Sequence, residues 1–459
     1  MERKNAWAAY AGDDGRVEAF AKAYCDFINN GKTERECVAY GEKLAKAHGF
    51  EDLNAVVRSG RKLEAGARVY ANWMGKSFML FVLGEKPLEE GMNILGAHID
   101  SPRIDVKQNP LYEDTDLAYL DTHYYGGIKK YQWVAIPLAL HGVIVRKTGE
   151  KVIINIGEDE NDPVFCISDL LVHLAQEQMT KNAKEVVEGE ALNLIVGGRP
   201  LEGEEKDAVK ANVLKLLADK YGVEEEDFLS AELEIVPAGK ARDMGFDRSM
   251  ILAYGHDDRV CAYAELAAIL QLDVPEKSAV CIFADKEEIG SVGATGMASH
   301  YLENTVAELY ACTADYCELA VRRCLRNSRM LSSDVSAGYD PNFASAFEKK
   351  NSAFLGRGIC FNKFPGSRGK SGSNDANPEF MASLRKIMDD AGVAFQTAEL
   401  GRVDLGGGGT IAYLCAKYGM NVIDSGIPVL SMHAPYEIIS KVDLYEGYRC
   451  YCAFAKPVE

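Results

Sequence analysis

Five stretches of the chain end an apolar run in a cluster of His, Asp or Glu: NILGAHIDSPR, ILAYGHDDRV, CIFADKEEIGS, MLSSDVS and PVLSMHAPYE. They offer His98 and Asp100, Asp257 and Asp258, Glu287 and Glu288, Asp334, and His433. Carboxylates mixed with imidazoles make the oxygen and nitrogen donor set that Zn, Co or Mn prefer, whereas a soft thiolate site would need cysteines at these places. The adjacent glutamates are the sharpest feature. Like charges side by side repel unless something positive lies between them, and a metal supplies that charge. One carboxylate can then ligate while its neighbour, turned toward water, acts as general base. An aspartate shared by two metals ~3.5 to 4 Å apart would add the clamp used by two-metal hydrolases.

Taken singly, each stretch has a plainer reading. His98 and Asp100 read as a polar loop, and Asp257 or Asp258 as an N-cap accepting orphan amide hydrogens. Glu287 and Glu288 read as first-turn residues facing a helix dipole, Asp334 as a turn residue, and His433 as a satisfied, half-buried histidine. One layout repeated at five apolar strand ends argues instead for a shared site.

Such a site needs strands that stop together. MNILGAHIDSPR reads as a buried strand delivering side chains at its carboxyl end. Before it, VEAFAKAYCDFINN and ERECVAYGEKLAKAHGF carry apolar residues at helical spacing, and ARVYANWMGKSFMLFVLG alternates like a hairpin. From about Ile104 to Phe246 the text changes to short β-type runs, WVAIPLALHGVIV and KVIINIG, followed by acidic, helix-rich sequence with EGEEKD and VEEED. Past Met250 an α/β alternation resumes, with strands around MILAYGH, SAVCIFAD, NSRMLSSD, GICFNKF and VIDSGIPV separated by amphipathic segments such as RVCAYAELAAILQL. The pattern predicts one discontinuous α/β domain, residues 1–104 and 246–459, with a second domain, 105–245, inserted in it.

At 459 residues, 47% of them hydrophobic and 26% charged, the chain is long enough for two or three compact units. Its 69 Asp and Glu against 51 Lys and Arg leave a net charge of -18, which disfavours nucleic acid and anionic membrane surfaces as partners. No apolar run approaches the ~18 residues of a membrane span, and MERKNAWAAYAGDD has no apolar run of signal length. The twelve cysteines are scattered without a CxxC pair, as expected of reduced thiols, so a cytoplasmic setting is expected.

Together, GAHIDSPR, HDDR, ADKEEIGS, SSDVSAGYDPN and SMHAPYE resemble the M18 family of metalloaminopeptidases, the aspartyl aminopeptidase group within the MH clan of co-catalytic zinc exopeptidases. KFPGSRGKSGSNDANPEF is similar to a bacterial branch of that family. The resemblance runs from about Gly96 to the C-terminus, in the family's order. It implies a mixed-sheet zinc-exopeptidase domain with helices on both faces, plus an inserted β-rich dimerisation or lid domain. It also implies two divalent metal ions per chain, with Zn2+ foremost and Co2+ or Mn2+ admitted. His98 and Asp334 would bind one, Glu288 and His433 the other, and Asp257 would bridge them. Glu287 would be the catalytic base, and Asp100 would orient the His98 imidazole.

The implied activity is removal of the N-terminal residue from short peptides by a homo-oligomer, with a tetrahedral dodecamer suggested. In ISDLLVHLAQ, His173 matches a family histidine that reaches a neighbouring subunit's active site; its plainer reading is a surface residue on a helix capped by Ser168. GGGGTIA lacks the Lys-Ser/Thr of a P-loop and the spacing of GxGxxG, so the family reading is preferred, with Gly408 and Thr410 close to a substrate backbone. Lys363 is similar to a lysine that approaches substrate in relatives, and reads equally as a solvated strand-end lysine. The chain departs from the family where His256-Asp257-Asp258 replaces the usual Leu-Asp-Asn, and where HYYGGIKKYQWVAIPLAL replaces a Trp-Phe-Asp-Arg-Asp continuation. A preference for acidic N-terminal residues therefore does not follow. Two rival readings are a carboxypeptidase or deacylase of the same clan, and a non-catalytic scaffold of the same fold.

Overall fold

The computed structural model describes residues 4–365 and 369–456, so the middle of KFPGSRGKSGSNDANPEF lies outside the described residues. The chain forms two compact units. One comprises residues 1–100, 241–432 and 437–459, and the other 101–240 and 433–436. The junctions precede the expected 104/105 and 245/246 for a register reason. Arg103–Asp114 is one strand, paired with Leu117–Tyr125 from Arg103 onward, so the chain has entered the second unit by that residue. At the return, Arg242–Met244 already pairs with Met250–Ala253 of the first unit.

A nine-stranded sheet forms the centre of the first unit. Four of its strands lie side by side and parallel in the order Ala279–Ala284, Asn93–His98, Arg329–Ser333 and Asn421–Gly426. Their carboxyl ends therefore share one edge. Side chains alternate across them: Leu95, Cys281, Leu331 and Ile423 enter one buried cluster, while Ile94, Val280, Met330 and Val422 enter another on the opposite face. Near-continuous apolar runs are what a sheet buried on both faces requires. Helices cover each face. Tyr24, Phe27, Tyr451 and Phe454 pack with the first cluster, and Leu302, Val306, Val321 and Leu325 with the second.

The early helices fall at Gly15–Asn30 and Glu34–Ala47, the second opened by a capping box between Thr33 and Glu36. The hairpin pairs Arg68–Trp73 with Ser77–Val82 around Met74 and Gly75. One expectation changes. The helix His256–Leu270, read as amphipathic, is buried at every position except Ala267, Arg259 and Glu265 included, because it runs beneath the sheet and against the C-terminal helix Lys441–Ala455. A smaller five-stranded sheet, whose strands include Met250–Ala253 and Glu437–Ser440, completes this unit.

The second unit is built on a six-stranded sheet, all of its strand pairs antiparallel. EGEEKD does not itself form a helix; it leads into the helix Ala208–Tyr221. VEEED opens a 3-10 turn, Glu225–Ser230.

Candidate metal centre and active site

His98 ends its strand buried, 1% exposed, with its two ring nitrogens facing different partners. Nδ1 lies 2.9 Å from the Asp100 carbonyl oxygen and 3.3 Å from Asp100 Oδ1. A carbonyl oxygen only accepts, so a proton belongs on Nδ1, and Nε2 is left to point the other way. Nε2 faces Asp257 Oδ1 at 3.2 Å and Asp334 Oδ1 at 3.9 Å.

Asp100, fully buried, also tethers the paired glutamates. Its Oδ1 accepts the Glu287 amide and its Oδ2 the Glu288 amide, each at 3.1 Å. Those glutamates sit on a three-residue 3-10 turn, Glu287–Ile289, entered through Lys286 at φ 67° and left through Gly290 at φ 92°. So short a turn has no macrodipole to complement, which removes that reading of the pair. Asp257 has non-helical dihedrals at the kinked start of its helix and turns its carboxylate to His98. The Asp257 amide is anchored by Glu437 Oε2 at 2.9 Å.

Two overlapping groups result. One ligand atom from each of His98, Asp257 and Asp334 lies within 4.8 Å of the others, and the same holds for His98, Glu287 and Glu288. Electrostatics show what this pocket favours. Burial raises the Asp334 pKa well above the carboxylate range and Asp257 adds to it, with His98 opposing. Burial works against a charged His98, yet hydrogen bonds to Asp100 and Asp257 hold its pKa well above the usual imidazole value. The anionic pocket thus draws positive charge onto its own histidine, and hard oxygen donors around an imidazole suit a divalent cation.

A family model described as Aminopeptidase I zinc metalloprotease (M18) matches residues 27–455. The chain belongs to the M18 family. The probable M18 family aminopeptidase 1 of Clostridium acetobutylicum is 58% identical to the M18 chain over 457 residues, covering 99% of this chain and 98% of that protein. The crystal structure of an M18 family aminopeptidase from Thermotoga maritima matches with a TM-score of 0.95 at 44% identity, covering 100% of both chains. The S. cerevisiae mApe1 dodecamer, 21% identical with a TM-score of 0.77 over 95% of each chain, shares the fold. The M18 chain is a metalloprotease-family aminopeptidase.

Other expected residues of the M18 chain lie as follows. His433, at φ 65°, is on the short 433–436 stretch that groups with the second unit, its Nδ1 2.9 Å from the Gly127 carbonyl oxygen. His173 is exposed in a turn spanning 172–174, not on a helix; Leu174 N closes that turn onto the Leu171 carbonyl at 2.9 Å. Lys363 pairs with Asp375, which Lys370 also meets at 3.0 Å. Gly408 N donates to the Pro365 carbonyl at 3.1 Å, and the Thr410 hydroxyl donates to Asp424 at 2.6 Å.

Glu437 and Asp424 are not among the residues expected from the sequence, and of the two only Glu437 carried a usable signal. Glu437 closes SMHAPYE, one of the clusters already singled out, and Asp424 is a lone acid inside the apolar run VIDSGIPV.

Proposed function

We propose that the M18 chain uses two divalent ions and Glu287 as general base to release the N-terminal residue of short peptides. The supporting observation is the gathering of His98, Asp257 and Asp334 within 4.8 Å, overlapped by the group of His98, Glu287 and Glu288. In this reading His98 and Asp334 hold one ion, Glu288 and His433 the other, and Asp257 is shared. Zn2+ suits the donor set, with Co2+ and Mn2+ as alternatives. Bound there, the ions supply Lewis acidity toward the scissile carbonyl and acidify water enough for it to lose a proton near neutral pH.

The remaining work falls to the chain. Glu287 takes a proton from the attacking water and returns it to the leaving amine. Asp100, holding both the His98 ring and the amides of the glutamate turn, fixes base and imidazole relative to each other. Gly408, Thr410 and Lys363 form the substrate-facing side. His173 of a neighbouring subunit hydrogen-bonds the developing oxyanion, within a homo-oligomer for which the dodecameric yeast relative is the precedent. A tetrahedral dodecamer would limit substrates to short peptides. The twelve thiols fit a cytoplasmic setting, and the net charge of -18 fits the lack of a nucleic-acid or membrane partner. Among the described residues, no helix is long and apolar enough to cross a membrane.

The test is metal content together with release of the N-terminal residue from free and N-acetylated peptides, for the wild type and Glu287→Gln. Expected are about two ions per chain in both proteins, turnover of free-amine peptides alone, and a loss in the variant of about 10² to 10⁴-fold. A variant with full metal content and full turnover refutes the base. Turnover of N-acetylated peptides favours the deacylase or carboxypeptidase reading.

A further inference from the structure

Asp424 is a buried acid in the strand Asn421–Gly426, 2% exposed, registered against Ser332 on one side and Asn362 on the other. Its Oδ1 accepts the Thr410 hydroxyl at 2.6 Å, and its Oδ2 meets no hydrogen-bond donor among the described residues. Burial raises its pKa to about 7; the Thr410 hydroxyl opposes this, and the Glu287 carboxylate adds to it across the strand edge. Asp424 thus grips the end of the glycine loop through the Thr410 hydroxyl.

That loop has little else to fix it. Gly406 to Gly409 carry no side chains, and Gly407 adopts φ 114°, a conformation that a side chain would resist. Before Thr410 the main chain is tied by Gly406 N, which donates to the Arg402 carbonyl at 3.0 Å, and by Gly408 N, which donates to the Pro365 carbonyl at 3.1 Å. After it, Ile411 and Ala412 are buried, and the Ala412 amide donates to the Thr410 hydroxyl oxygen at 3.3 Å. The Thr410 hydroxyl is thus the joint between a sparsely tied loop and the packed sheet.

We propose that Asp424 is a positioning residue that latches the Gly406–Thr410 loop through the Thr410 hydroxyl, fixing where its amides present themselves to substrate. This rests on the reading of the loop as substrate-facing. Burying a carboxyl between Ile423 and Ser425 carries a desolvation cost that an apolar residue would avoid, and the hydrogen bond to Thr410 is what the fold gains from it.

The experiment uses metal-loaded Thr410→Val, Thr410→Ser and Asp424→Asn, reading kcat and KM separately alongside amide hydrogen exchange of residues 405–410. Thr410→Val should raise KM about tenfold and speed exchange in the loop about tenfold to a hundredfold, the shift one charge-assisted hydrogen bond can hold. Thr410→Ser should restore both. In the Asp424→Asn background, Thr410→Val should add less than it does alone. Wild-type exchange and KM in Thr410→Val, or effects of the two substitutions that multiply fully, overturn the latch. If Asp424→Asn does not fold, the Thr410→Val and Thr410→Ser pair decides. Exchange does not depend on turnover, so an active Glu287→Gln enzyme removes the base assignment and leaves the latch to be judged separately.

Discussion

Asp100 shows how much a single carboxylate can organise. One oxygen stands 3.3 Å from His98 Nδ1 and accepts the Glu287 amide, while the other accepts the Glu288 amide. These three partners are all donors, so a group that accepts on both oxygens suits the place. Asp100→Asn keeps the shape but turns an NH2 toward one of those donors, either the turn or the ring. Metal affinity, read by competition with a chelator, should fall about 10 to 100-fold, the range for loss of a ligand-orienting partner. Thermal stability should change far less, because the turn is short and lies at the edge of the sheet. Unchanged affinity would show that His98 and the glutamate turn hold their places without this tether.

The strand ends depend on backbone fit as much as on side chains. Gly426 closes the strand beside Asp334, and a Cβ built there would lie 1.7 Å from the Asp334 carbonyl oxygen and 3.1 Å from Val335 Cα. Gly426→Ala should push Asp334 away from His98 and Asp257. Bound metal should fall below the wild-type stoichiometry while the circular dichroism spectrum is kept, with an overpacking cost of about 1 to 3 kcal/mol in chemical denaturation. Full metal content in a folded variant would show that this edge can shift without losing Asp334. The strands were legible in the sequence because a sheet buried on both faces writes unbroken apolar runs, and all five clusters stand at or just beyond a strand end, three in the nine-stranded sheet and two in the five-stranded one. Single buried acids were not. Asp424 pairs with a threonine 14 residues away, and Glu265 lies on a helix whose polar positions do not mark solvent, so neither leaves a periodic trace. ISDLLVHLAQ misled in the opposite sense. Its spacing suits a helix, but the segment forms turns in which Leu170, Leu171, Val172 and Leu174 stay exposed.

At the scale of the whole molecule, that exposure has to be explained by something beyond one chain. Leu171, Val172 and Leu174 are 56%, 67% and 69% exposed around His173, and Met179 is 72% exposed. A monomer rarely leaves such side chains together in water, and covering each one gains about 1.5 to 3 kcal/mol. The homo-oligomer proposed above would supply a second copy of the chain as the cover, and the same contact would carry His173 toward a neighbour. The net charge of -18 per chain opposes that association, so the apolar contact has to outweigh repulsion, and added salt should strengthen the assembly. Replacing Leu171 and Leu174 together by Asp places two more charges where apolar contact is needed. Sedimentation should then show smaller species than the wild type, and peptide turnover should fall in step. Metal content per chain should stay at the wild-type level, because neither Leu171 nor Leu174 is among the proposed ligands. A variant that assembles like the wild type would show that this turn is not the contact. One that dissociates yet keeps full turnover would show that His173 has no part in a neighbour's chemistry.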